Sequence, residues 1–476
     1  MPRRTIRLTG AAEAPLRAAL VALRAELGVP EDFPPEVGEE AERSAKNPLP
    51  PWHDATELPF FTLAPASSTD LDQAVHLSRR GTGYRVRYAI ADVAAFVVPG
   101  GGLDAETHRR VNTLCFPDVR VPLHPTVLGE GAASLLPDRT RPAVLWTVDL
   151  DAEGRTVAVD VHRALVRSRA GLDPAGVQRQ IDGGTAEEPV ALLREIGRAR
   201  QRLEAERGGI SLHVPEQEIT ERDHTRLLTY RAPLPAEGWN AQLSLLAGMA
   251  AADLMLATGT GVLRTVPAAP DGAAARLRRT ATALRVDWPH HVSYAALLRT
   301  LDPREPHDAA FLQECTTLLR GAGYTVFRNG DLPPITSHAA VAAPYAHCTA
   351  PLHRLADRYA SEICLSAVAG EAPPAWVREA LGTLPRRMAD GARRAAAVER
   401  ECVDLVEAAL LEDRVGDVFE GVVIDLADHP DAGTVQLESP AVTGRVEGAG
   451  LPLGERLRVR LTRAEPGRGK VLFAPA

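Results

Sequence analysis

Cysteine is scarce and unpatterned in this 476-residue chain. Cys115, Cys315, Cys348, Cys364 and Cys402 are scattered, odd in number and form no C-x-x-C pair. That excludes a disulfide framework and a cysteine-based zinc site, and leaves free, buried thiols as the expectation. Lysine is nearly missing: apart from Lys46 and Lys470 every basic side chain is arginine, beside abundant alanine and proline. We read this as compositional bias, so no arginine is given a role by its identity alone. Nor is there net positive charge. The formal value of −8 leaves no global electrostatic footprint for nucleic acid, although a strand threaded into an internal channel needs only a local positive lining. No apolar run approaches the length of a membrane span, and the N-terminal M-P-R-R-T-I-R leads into a polar helix-like segment instead of a signal-peptide core. A cytoplasmic monomer with no membrane partner is the expectation.

What the chain does have is a charged hairpin. From Thr62 it reads T-L-A-P-A-S-S-T-D-L-D-Q-A-V, then a polar turn around Gly81-Thr82-Gly83, then Y-R-V-R-Y-A-I-A-D ending at Asp92. Apolar residues alternate on both sides of the turn (Leu71, Ala74, Val75; Tyr84, Val86, Tyr88, Ile90), which predicts two antiparallel strands. Asp70 and Asp72 stand at i and i+2 where the first strand should begin. An extended backbone points both carboxylates to one face, roughly 6–7 Å apart. Like charges that close repel unless a cation lies between them, so the pair is a candidate hard-metal site. The same residues also suit a solvated turn whose backbone is capped by Ser67, Ser68 and Thr69.

Wider context separates these readings. The stretch Leu58–Val93 resembles the catalytic core of the RNase II / RNase R family, the RNB domain, where a strand, the aspartate cluster D-x-D-D-A, a hairpin and A-I-A-D follow one another. T-L-C-F-P-D-V-R-V-P-L-H-P (Thr113–Pro125) is similar to the family's S-V-Y-F-P-x-x-V-V-P-M-L-P, and A-S-L-L-P (Ala133–Pro137) to its C-S-L-N-P. R-G-G-I-S-L-H-V-P-E (Arg207–Glu216) resembles R-G-A-x-D-F-D-x-P-E, and Y-A-H-C-T-A-P-L-H-R-L-A-D (Tyr345–Asp357) resembles Y-A-H-F-T-S-P-I-R-R-Y-x-D. A-V-E-R-E-C-V-D-L, with Glu399, resembles the A-E-R-x-x-x-D-W that closes the catalytic domain.

The resulting expectation is an α+β protein: an RNB core of mixed β-sheet and helices over 46–412, followed by a small OB-type β-barrel of five short strands over 415–476. Residues 1–45 form a short helical extension, with one amphipathic helix near Ala12–Leu27 and then a Pro- and Glu-rich run, Val29–Glu42. That is too short for the cold-shock-type barrels that relatives carry ahead of the core. Within the barrel, Arg456, Arg458 and Arg460 alternate onto one strand face, either a binding face or a solvated one.

The resemblance implies hydrolysis of single-stranded RNA from its 3′ end to nucleoside monophosphates, with Mg²⁺ or Mn²⁺ held by four aspartates. By motif the second and third fall on Asp70 and Asp72, the first on Ala64 and the fourth on Gln73. The implied metal set is therefore Asp70, Asp72 and Gln73, the last through its neutral oxygen, with Asp92 either a further ligand or the structural end of a strand. The family's two arginines fall on His353 and Arg354. Arg354 would clamp the scissile phosphate and complete a catalytic set with Asp70 and Asp72. The tyrosine at the terminal nucleotide falls on Cys115, which leaves Phe116 as a stacking ring or a core residue. His353, Phe116, Tyr345 and Glu399 are the implied RNA contacts, and two acidic positions of a central helix fall on Ala241 and Gln242. With Asp70, Asp72 and Arg354 retained, an exoribonuclease is the expectation. The alternative is an RNA-binding protein on the same fold with a decayed centre, and a metal-dependent hydrolase of another phosphoester is a third class.

Overall fold

A six-stranded sheet carries the predicted hairpin. The computed structural model describes residues 6–8, 14–30, 32–49, 53–212, 216–222, 225–269, 272–319, 321–427, 431–437, 439–467 and 469–476, so positions 213–215 of the Arg207–Glu216 motif lie outside the described residues. The sheet strands are His53–Asp54 (β1), Phe60–Leu63 (β2), Gln73–Arg80 (β3), Gly83–Ala91 (β4), Thr140–Leu150 (β5) and Thr156–Leu172 (β6), in the order β1-β6-β2-β3-β4-β5. The long β6 also pairs with β5, so it joins both sides of the sheet. Arg80 faces Gly83 across the hairpin, which leaves Gly81 and Thr82 as the turn. Gly81 takes φ +57°, a region glycine enters without steric cost.

Both faces of the sheet are covered, which is why the end of β4 (Tyr88–Ala91) and most of β5 read as nearly continuous apolar runs. Helices Pro174–Asp182, Glu188–Glu206, Pro235–Thr258 and Leu355–Ala369 bury one face around Tyr88, Trp146, Ile196, Trp239 and Tyr359. Alternate strand residues point the other way. Ala89 and Leu145 join Phe60, Leu103 and Val37 under helices Pro35–Lys46 and Gly102–Arg110. The first of these helices begins inside the Pro- and Glu-rich run Val29–Glu42 and continues to Lys46. Pro35 is accommodated in its first turn, where the missing N–H is no loss, and Val37 and Ala41 are buried. Helix Pro235–Thr258 is long and apolar enough to cross a membrane. Here its apolar side chains Leu243, Leu246, Ala250 and Met255 are core.

At the C-terminus Val418–Leu426, Ala432–Leu437, Thr443–Glu447, Arg456–Arg463 and Leu472–Pro475 form a closed barrel, as expected. The N-terminal extension is not detached from the rest. Leu16, Leu20 and Leu23 share one apolar cluster with Val398 and Val406 of the long helix Leu384–Leu411 and with Phe419 and Val459 of the barrel. On the arginine face of the barrel, Arg458 pairs with Glu420 at 3.6 Å and Arg460 donates to the Gly416 carbonyl at 2.9 Å.

One close approach positions the segment 345–354. Gly248 lies midway along helix Pro235–Thr258, and a Cβ there would stand 2.1 Å from Tyr345 Cε2 and 2.6 Å from the Ala346 carbonyl oxygen. The notch lets Ala346 N–H donate to the Gly248 carbonyl at 3.0 Å. Farther along, Ser244 of the same helix donates to Thr349 Oγ1, also at 3.0 Å. We expect Gly248→Ala to cost about 1–3 kcal/mol by overpacking, read as a lower denaturation midpoint, and to displace the following residues enough to alter the amide spectra of Leu352 and His353.

Candidate active site

The two aspartates lie in the connection between β2 and β3, just before the latter strand begins. Ser134 fixes this approach: its hydroxyl donates to the Thr69 carbonyl at 2.7 Å and accepts from Leu71 N–H at 2.8 Å. Asp72 is buried, whereas Asp70 borders solvent. Facing them is the turn Ala350-Pro351-Leu352-His353, closed by His353 N–H donating to the Ala350 carbonyl at 3.0 Å.

His353 bridges the pair. Its Nδ1 is 2.5 Å from Asp72 Oδ2 and its Nε2 is 2.8 Å from Asp70 Oδ2. Two carboxylate partners require both ring nitrogens to donate, so the side chain is an imidazolium. Burial pulls its pKa down, but attraction to Asp72 and hydrogen bonds to both carboxylates outweigh that and push it up to about 10. Burial likewise opposes ionisation of Asp70, yet His353 and Arg120 hold that carboxyl at about 2. Asp72 is displaced upward by burial, against the pull of His353 and of Leu352 N–H. For this tightly coupled pair we assign the proton to the ring, which has a second carboxylate on its far side.

The remaining carboxylate oxygens are also occupied. Asp70 Oδ1 accepts from Arg120 at 2.5 Å and Asp72 Oδ1 from Leu352 N–H at 2.7 Å. The Gln73 amide donates to the Thr349 carbonyl at 2.6 Å, and its oxygen accepts from the Tyr88 hydroxyl at 2.5 Å. Ala64 supplies a methyl group where a carboxylate is implied.

A hard divalent ion asks for several free oxygen donors. Each oxygen of the expected set Asp70, Asp72 and Gln73 already accepts a hydrogen bond. Among the described residues, no group of three or more His, Cys, Asp or Glu is arranged to hold a metal. The Mg²⁺ or Mn²⁺ centre read from the motif does not fit these residues as they stand, and Gln73 is corrected from ligand to structural amide.

Arg354 comes to the same place by a different tie. Its Nε and NH2 form a two-pronged bond to Asp357 at 2.9 and 2.7 Å, and Asp357 also accepts from Ala350 N–H. Asp357 lies close enough to Asp72 to oppose its ionisation. The segment paired with Arg354 is strained. Val111 holds φ +69°, unusual for a β-branched residue, while its carbonyl accepts from Leu355 N–H and Asn112 bridges to Arg354.

Two of the expected RNA contacts, Phe116 and Tyr345, are buried side chains. Phe116 is core, packed with Leu114, Val121 and Val398, and Arg24 covers its ring at 5.4 Å. Neighbours on an extended chain point oppositely, so it is Cys115 that is exposed, paired in its ladder with Arg120. Tyr345 is buried edge-on between His338 and His347. Asp92 is not a ligand: it is buried against Arg163 at 2.7 Å, and the same guanidinium pairs with Glu362. Glu399 is half-buried on helix Leu384–Leu411. The residue missed from the sequence is Arg120. A signal existed, since it stands at a valine position of the F-P-x-x-V-V-P pattern.

Comparison with known proteins agrees with this architecture. Residues 52–369 match the RNB domain and residues 417–476 the RNase II-type exonuclease C-terminal S1 domain. Ribonuclease R of Escherichia coli is 26% identical over 474 residues, covering 88% of this chain and 57% of the relative. The chain thus spans little more than half of that protein's length. Exosome complex exonuclease dis3 of Schizosaccharomyces pombe is 26% identical over 346 residues, covering 68% of this chain and 36% of the relative. Among solved structures, apo RNase R of Mycoplasma genitalium superposes with a TM-score of 0.84 at 17% identity, over 97% of this chain and 78% of the other. Yeast Ssd1, described as a pseudonuclease, superposes with a TM-score of 0.66 at 15% identity, over 87% of this chain and 53% of the other. On the strength of the matched RNB and C-terminal S1 domains, the chain belongs to the RNase II / RNase R family of RNB-domain proteins.

Proposed function

We propose that this chain binds single-stranded RNA with the RNB fold and that phosphodiester hydrolysis is suppressed at a centre closed by His353. The observation that carries this reading is the engagement of Asp70 and Asp72: His353, Arg120 and Leu352 N–H donate to every carboxylate oxygen. The closure has an electrostatic consequence for RNA. Two bare carboxylates would repel a phosphate, whereas His353 and Arg120 neutralise them. A backbone phosphate can then approach without a divalent ion to screen it. When bound, a divalent ion would supply the nucleophilic hydroxide for hydrolysis, and no such step is assigned to these residues. The chain would act as a monomer, and its four buried free cysteines support placement in a reducing compartment such as the cytoplasm.

A second reading is a 3′-to-5′ exoribonuclease using Mg²⁺ or Mn²⁺. The specific observation in its favour is the convergence of Asp70, Asp72 and the Asp357-held Arg354, far apart in sequence, on one site.

End-labelled RNA separates the two. With Mg²⁺ or Mn²⁺ present, we expect the wild type to bind 5′-labelled single-stranded RNA and leave it intact. The triple variant Ala64→Asp, Gln73→Asp, His353→Arg should gain metal affinity and shorten the strand. Stepwise shortening by the wild type, abolished in Asp72→Asn with binding retained, would establish the exoribonuclease instead.

The His353 bridge also makes a pH prediction. Its folded pKa is raised above the unfolded value of about 6.5, so its stabilisation is complete below that pH and is lost as pH rises through about 10. Removing it leaves two carboxylates without their shared cation, a loss of about 3 kcal/mol for a largely buried pair. The gap in melting temperature between wild type and His353→Asn should be widest near pH 6 and close on approaching pH 10. A gap that widens with pH would assign the proton wrongly.

A further inference from the structure

Beside Gln73 lies a cavity of about 520 Å³, a size that suits a nucleoside. Its polar wall is made by Gln73, Gln201, Glu237, Asn240, Gln242 and Ser244, and no lysine or arginine lines it among the described residues. Its carboxylate, Glu237, accepts from Arg231 at 3.1 Å, so the lining offers amides and hydroxyls where a phosphate would call for a cation. It favours an uncharged ligand that brings N–H groups.

Gln242 sharpens that preference. It is 2% exposed, and its Nε2 donates to Glu204 Oε2 at 2.5 Å. Glu204 is itself buried, with its other oxygen accepting from the Ser211 hydroxyl at 2.7 Å. A carboxylate only accepts, so the amide cannot be reversed: its NH₂ must face Glu204. Gln242 Oε1 is then left buried with no donor. A stranded acceptor of this kind is costly to keep, and a ligand N–H would satisfy it. Asn240 and Gln201, both half-buried on the same wall, have carboxamides without hydrogen-bond partners among the described residues. They are available to the ring nitrogens of the same ligand.

Gln73 is the wall shared between this cavity and the Asp72 site, one residue away in the chain and tied to Thr349 of the facing segment. A strand whose phosphate rests at Arg120, which meets Asp70 through NH1, would present a neighbouring base to the cavity.

We propose that the cavity is a base-selective subsite that accepts a nucleobase whose amino group stands at purine position 6 or pyrimidine position 4, adenine or cytosine, in the bound RNA. The inference rests on the RNA-binding reading above. Adenine N6 or cytosine N4 donates to Gln242 Oε1, whereas uracil and hypoxanthine place a carbonyl oxygen against it. A site built around a hydrogen bond of this kind discriminates strongly against an analogue that lacks the donor.

The test is fluorescence anisotropy in the presence of a chelator, on 5′-labelled oligouridylates of equal length. A single adenosine is moved stepwise from the 3′ end and then replaced by inosine. At one position adenosine should tighten binding by about tenfold, and inosine at that position should remove the gain. Gln242→Leu should bring the adenosine-containing strand down to the affinity of oligouridylate. Should that variant fail to fold, because Glu204 loses its partner, Asn240→Ala is expected to weaken the same preference several-fold on the less buried side of the pocket. Equal affinity of the wild type for every strand would overturn the subsite and leave RNA binding standing. Failure to bind any of the strands would overturn the RNA reading itself, and the subsite with it.

Discussion

The imidazolium of His353 between Asp70 and Asp72 is the contact on which the rest of the site depends. It does what a divalent cation would do for two close carboxylates, which is to relieve their repulsion. It does so with a side chain that is part of the fold. That choice has a chemical cost: a histidine neutralises charge and donates hydrogen bonds, but brings no bound water to a phosphorus atom. Arg120 reinforces the same outcome from the other side of Asp70.

Geometry around this bridge is set mainly by backbone packing. The 345–354 segment is laid on helix Pro235–Thr258 through the notch at Gly248, so His353 arrives at the aspartates by way of Tyr345, Ala346 and Thr349. The aspartates are delivered separately, by a connection held to Ser134 and by the Gln73–Tyr88 bond across the hairpin. Behind them Arg163 ties β6 to helix Leu355–Ala369 through Asp92 and Glu362. These ties share few atoms, which makes the site rigid from several directions at once.

Seen this way, the departures at Ala64, Gln73, Cys115 and His353 form a coherent set. The methyl group and the amide lower the negative charge, the thiol lowers the aromatic surface, and the imidazole takes the place of a guanidinium and bonds to both remaining carboxylates. What remains is a neutral polar site beside a cavity with an unpaired acceptor at Gln242. Such a site is better suited to holding a strand and sampling a base than to cutting the backbone.

Much of this was legible in the amino-acid sequence. The hairpin followed from period-two alternation around Gly81, the helices from their apolar spacing, and the five-stranded barrel from short runs broken by glycine, proline and aspartate. Motif order located Asp70, Asp72, His353 and Arg354 before any coordinates. The helix at Pro35–Lys46 was hidden, because its prolines and glutamates resemble a linker and only tertiary contact buries Val37 and Ala41. The roles of individual side chains were decided by the fold. Phe116 reads as a stacking ring or a core residue and Tyr345 as an RNA contact; both are buried, since strand pleat and helix packing turn them inward. Gln73 has the atoms of a ligand, yet Tyr88 and Thr349 consume them. Whether His353 meets a phosphate or a carboxylate depends on which partner lies within 3 Å across a gap of some 280 residues. No local pattern encodes that distance, because it is the sum of every packing contact between the hairpin and the helix that faces it.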